Sequence, residues 1–120
     1  MAKFCASQVL DAALDEIATA TQLFLCPSQP ADYAAANSSK LGSRTLTSGD
    51  FTKADGSAAG RRKVTVAEGD VSVTDAGTVT HVVLCTASEL LYVTTTSSEA
   101  VTAATTRTVG AWDIEFREPT

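Results

Sequence analysis

Apolar residues follow a helical period near the start of the chain and a period of two over most of its second half. Between residue 7 and about residue 20, Val9, Ala13 and Ile17 recur every four residues with Leu10 and Leu14 beside them, while Asp11, Asp15 and Glu16 fall largely on the other side. This predicts an amphipathic helix over about 7–20 that lies on a sheet, with Ser7 as its N-cap. Gln22–Cys26 is a short apolar run closed by Pro27 and reads as a buried strand. Pro30 then opens a helical turn over 31–37, since the fixed φ of proline suits a first helical position. Residues 37–60, punctuated by Gly42, Gly49, Gly56 and Gly60, read as loop-rich, with short strands near 43–48 and 51–53.

After Gly60 the alternation begins. Residues 63–66 and 70–74 alternate, with a turn at Asp75-Ala76-Gly77, and 78–86 with 90–96 read as a hairpin joined through Ala87-Ser88-Glu89. A last strand over 109–116 puts Trp112, Ile114 and Phe116 on one face and Asp113, Glu115 and Arg117 on the other. The succession of short strands without intervening helices predicts a mainly β fold: an antiparallel β-sandwich or barrel-like domain with the N-terminal α-helix packed on it. Residues 1–120 read as a single domain, with the helix at about 7–20 and a β-rich body at about 22–117.

Composition sharpens this picture. The 120 residues suffice for one core, and 44% hydrophobic with 19% charged residues marks a globular chain. Its 18 Thr and 11 Ser, nearly a quarter of the chain, suit β-surfaces and turns. No apolar run approaches the roughly 20 residues that span a bilayer, and the acids at 11, 15 and 16 interrupt anything resembling a secretory leader. No membrane association is therefore expected. Cys5, Cys26 and Cys85 share no CxxC spacing and read as small buried thiols in a reducing compartment.

Candidate chemistry is sparse, and the expectation is a protein without enzymatic activity, metal or cofactor. The one histidine, His81, lies in a strand pattern, four positions from Cys85. On a strand that is about 13 Å, beyond the reach a nucleophile–base pair needs. Asp113 and Glu115 alternate with apolar residues, which explains their spacing as the solvent face of a strand. The segment from Gly56 to Lys63 lacks the Walker spacing and its Lys-Ser/Thr ending, and there is no GxSxG.

Charge is unevenly spread. Lys40, Arg44, Lys53, Arg61, Arg62 and Lys63 give residues 40–63 a net +4 against −9 for the remainder, within a total of −5. A basic loop of this kind can dock on an acidic partner or on the acidic face of a second copy. The overall sign and the lack of aromatic residues beside the basic ones speak against nucleic acid.

The segments MAKFCASQVLDAALDEI, CPSQPADYAAA, SGDFTKADG, GRRKVTV, GTVTHVVLCTASELLYVTTT and VGAWDIEFREPT together resemble a family of small tailed-bacteriophage virion proteins, over nearly the whole chain. The resemblance implies a structural role in the virion. Its preferred form is a capsid decoration (cement) protein on the outer surface of the shell; a tail, collar or fibre component is the alternative. It implies the major capsid protein as partner, with self-association as a trimer suggested by capsid threefold sites. Synthesis in the host bacterial cytoplasm and residence on the capsid surface go with that role. The contact residues expected are Lys3 and Phe4 in the N-terminal segment and Arg44, Arg61, Arg62 and Lys63 in the basic loop. Two other classes predict different features: a small enzyme needs His81 in a deep polar cleft, and a glycan- or receptor-binding module needs an exposed platform of Trp112, Tyr92 and Tyr33.

Overall fold

A computed structural model describes residues 6–56 and 61–117, leaving aside the side chains of Ser7 and Arg117. Along the chain run α1 (Ser7–Ile17), β1 (Gln22–Cys26), α2 (Tyr33–Ser39), β2 (Gly42–Thr45), a 3-10 turn (Ser48–Asp50), β3 (Phe51–Asp55), β4 (Arg61–Val66), β5 (Gly69–Val73), β6 (Gly77–Cys85), β7 (Leu90–Val101), β8 (Thr105–Val109) and β9 (Trp112–Arg117). The fold is mainly β. A six-stranded sheet ordered β7-β6-β1-β2-β5-β8 and a three-stranded sheet ordered β3-β4-β9, antiparallel throughout, curl into a half-barrel.

The predicted N-terminal helix is present but ends at Ile17 instead of near residue 20, and two further expectations about it are corrected. Its buried residues are Leu10, Leu14 and Ile17, whereas Val9 is 56% exposed and Ala13 is exposed. A strict four-residue repeat drifts around a helix of 3.6 residues per turn, while spacings of four and then three hold one face. The cap residue is Ala6, which provides no side-chain bond; Ser7 is already helical. The buried stripe rests on β4, β9 and β7.

β1 is buried along Leu23, Phe24, Leu25 and Cys26, so both its faces are covered. Leu23 and Leu25 enter the main core with Leu14, Ile17, Val64, Val71, Leu84 and Ile114. Phe24 and Cys26 face the other way, into a small core with Ala36, Val83 and Cys85 under α2. Burying one such Leu or Phe contributes about 1.5–3 kcal/mol. The α2 helix starts two residues later than predicted, because Asp32 caps it by accepting from the Ala35 backbone N–H at 2.8 Å.

The hairpin forms as predicted. β6 and β7 pair antiparallel, and the Thr86 hydroxyl accepts from the Ser88 and Glu89 backbone N–H groups at the turn. Two expectations are revised. Residues 105–109 form a strand that the alternation did not announce, and the single strand over 109–116 divides. Val109 pairs with Gly69 on β5 in one sheet, whereas Trp112 pairs with Val66 on β4 in the other. The chain thus crosses between sheets at Gly110-Ala111, beside the Ala67-Glu68 crossing that links β4 to β5. The short strands expected within the loop-rich stretch 37–60 are present as β2 and β3.

Candidate interaction surface

Of the basic residues expected to form a loop, Arg44, Lys53, Arg61, Arg62 and Lys63 lie on strands, each set against an acid of the same chain, whereas Lys40 ends α2 and donates to Asn37 Oδ1 at 2.7 Å. On β4, Arg61 and Lys63 project to the face of the small sheet opposite Val64 and Val66, as strand alternation requires. Their neighbours on β9 are acidic: Arg61 Nη1 lies 3.4 Å from Glu115 Oε2, and Lys63 Nζ 3.4 Å from Asp113 Oδ2. Thr65 also donates to Asp113 Oδ1 at 2.6 Å. That hydroxyl bond, with Lys63 behind it, holds the Asp113 carboxyl below its ordinary range.

Arg62 points to the other face and ties three elements together. Its Nε donates to Asp11 on α1 at 2.8 Å and its Nη1 to Asp55 on β3 at 2.6 Å, and these two bonds raise its pKa further. Lys53 on β3 reaches Asp15 on α1 at 2.7 Å. The charge separation seen along the sequence is therefore undone in space. Asp11, Asp15, Asp113 and Glu115, all outside residues 40–63, neutralise Arg62, Lys53, Lys63 and Arg61. Exposed pairs of this type contribute little stability each; their effect is to present a ladder of alternating charge instead of a basic patch. The strand alternation at Asp113 and Glu115 was the available signal for this; the partners on α1 were not visible without the fold.

Arg44 stands apart from this ladder. Its side chain is only 13% exposed and is spent at the crossing between sheets, donating to Ala67 O at 2.9 Å and to Asp50 Oδ1 at 3.0 Å, with Glu68 O at 3.5 Å. A side chain at Gly69 would run into its guanidinium. The position is a structural pin between the two sheets. Lys3 and Phe4 lie outside the described residues, as does Cys5.

The remaining candidates separate. His81 Nδ1 lies 2.8 Å from the Thr80 hydroxyl. His81 faces Cys26 across the β1–β6 pair, while Cys85 is opposite Gln22. Both described thiols lie near backbone carbonyls, Cys26 Sγ 4.0 Å from Ala36 O and Cys85 Sγ 3.9 Å from Gln22 O. Among the described residues no three His, Cys, Asp or Glu side chains gather to hold a metal ion. The three aromatic residues of the platform do not meet. Tyr92 and Trp112 stack with centroids 6.1 Å apart against the main core, whereas Tyr33 packs 6.3 Å from Phe24 in the small core. Comparison with protein-family models, with curated protein sequences and with solved structures returned no match.

Proposed function

We propose that this chain is a structural protein of a tailed-bacteriophage particle, a decoration or cement protein that binds the outer surface of the assembled major capsid protein and stabilises it. The observation that carries this reading is the sequence resemblance, strongest in the segments that form α1, the β6–β7 hairpin and β9. A cement protein that binds the assembled shell and not its separated subunits stabilises the shell by mass action, with no chemistry required. The charge ladder of Arg61, Lys63, Asp113 and Glu115 offers such a shell a surface on which contact is set by geometry and sign together. Arg62 supports that surface from behind, and the N-terminal segment with Lys3 and Phe4 is the second contact in this reading.

Mixing the purified protein with capsids that lack it, followed by cryo-electron microscopy, tests the proposal. Density at regular positions over the icosahedral shell is expected. The double variant Arg61→Glu, Lys63→Glu, which keeps Arg62 and the core intact, is expected to lower occupancy on the particles several-fold. Density confined to the tail axis would replace the cement role by a tail, collar or fibre role, and no density on any particle would end the virion reading.

A further inference from the structure

The six-stranded sheet ends in two strands that face one another without pairing. β7 and β8 are joined by residues 102–104 alone, yet among the described residues β7 pairs only with β6 and β8 only with β5. The curl of the sheet brings these two edges to opposite sides of a groove, bridged by the ion pair of Arg107 with Glu99. Strand edges of this kind present rows of backbone N–H and C=O groups ready for another strand. Leu25, Val79 and Val82 line the groove, with Val101 and Val109 at its sides. It continues past Thr94–Thr96 as a hollow of about 390 Å³ that reaches Trp112. Trp112 lines that hollow, and its buried indole Nε1 has no hydrogen-bond partner among the described residues, a state seldom found for buried donors.

We propose that this groove receives an extended strand of a different protein, which inserts between β7 and β8, hydrogen-bonds to both edges and completes the sheet. Alternate side chains of that strand lie over Leu25, Val79 and Val82, and its end packs against Trp112. The lining defines its chemistry. The charged groups on the groove, Glu99 and Arg107, neutralise each other, while the chain as a whole carries −5. An uncharged strand alternating β-branched apolar residues with Thr or Ser complements this slot; an acidic strand is repelled. A second copy is a poor donor, because all nine described strands are already held in the two sheets. β7 is also bent here, with residues 96–98 lying opposite Thr80 alone, and a bulge of this type discourages symmetric pairing of two β7 edges.

The test fuses a strand of alternating Val and Thr to the C-terminus of the full chain through about 30 residues of Gly and Ser, whose reach is roughly 30 Å. Tethering raises the effective concentration to about the millimolar range, so weak docking is still seen. Amides of residues 94–97 and 106–109 are expected to gain roughly ten-fold protection from hydrogen exchange. The indole N–H resonance of Trp112, the one tryptophan, is expected to shift relative to a control fusion whose strand carries two prolines. Unchanged protection and an unmoved indole signal in the fused protein would overturn the proposal. So would concentration-dependent dimers of the unfused chain that protect the same amides, because the donor would then be a second copy. Neither result bears on binding to capsids through the Arg61–Lys63 ladder.

Discussion

At Cys85, burial pushes the thiol pKa from an ordinary 9.0 up to about 11, helped by the neighbouring Cys26; burial moves Cys26 in the same direction. The unfolded chain loses these protons near pH 9 while the folded chain keeps them. Stability from this source is therefore complete below about pH 9 and is lost as pH rises towards 11. Urea midpoints measured at steps from pH 8 to 11 are expected to fall more steeply for the native chain than for Cys85→Ala. Equal slopes would remove Cys85 from the account. The reading of Cys26 and Cys85 as buried thiols was accessible from the sequence because isolated apolar strands leave a small thiol nowhere else to go. The role of Arg44 was not accessible, since two of its three acceptors are backbone carbonyls 23 and 24 residues away. The helix face was legible in kind but misplaced by one residue, as Val9 and Leu10 are equally apolar and only the underlying sheet chooses between them.

Among elements, the decisive feature is the place where two strands leave one sheet for the other. Ala67-Glu68 runs from the small sheet to the large one and Gly110-Ala111 runs back, and Arg44 on β2 closes this corner by hydrogen-bonding to the first crossing and to Asp50. Replacing Arg44 by Met keeps much of the side-chain volume but strips the Ala67 carbonyl and the Asp50 carboxylate of their donor. Bonds to a charged group contribute about 1.5–3 kcal/mol, and we expect Arg44→Met to destabilise the fold by about 2 kcal/mol in chemical denaturation. A loss below about 0.5 kcal/mol, typical of a neutral surface change, would show that the corner holds without it. Alternation over 109–116 suggested one strand because Val109 and the residues after Ala111 are equally good β-formers. What divides them is the choice of partner, β5 before the crossing and β4 after it, and a local pattern does not carry that information. β8 itself, Thr105–Val109, is almost wholly exposed, so it lacks the apolar rhythm by which strands are recognised.

Over the whole molecule the same contrast appears. The class of fold, mainly antiparallel β with one helix laid against it, was legible because periods of 3.6 and 2 survive averaging over many residues. The charge distribution was legible only along the chain; folding brought the acids of α1 and β9 onto the bases of β3 and β4. Shape was not legible at all. The Cα radius of gyration is 15.3 Å and the principal extents are 52 × 25 × 25 Å, whereas a compact chain of this length has a radius of about 13.5 Å. Small-angle X-ray scattering of the monomer is expected to show an elongated particle with a longest distance near the 52 Å axis. A profile fitting a sphere would contradict the open curl of the large sheet.

The burial of β1 on both faces has a consequence for how the chain is made. Leu23, Phe24 and Leu25 are synthesised early, but β6, the strand that lies alongside them, ends at Cys85 and follows some sixty residues later. At an elongation rate of about 20 residues per second that is a delay of roughly three seconds. During it a strongly apolar segment has no native neighbour on that side. The α1 helix waits longer still, because β9, part of the surface on which it rests, begins at Trp112. Folding slows as such sequence separations grow, so the nascent chain should depend on holding factors near the ribosome.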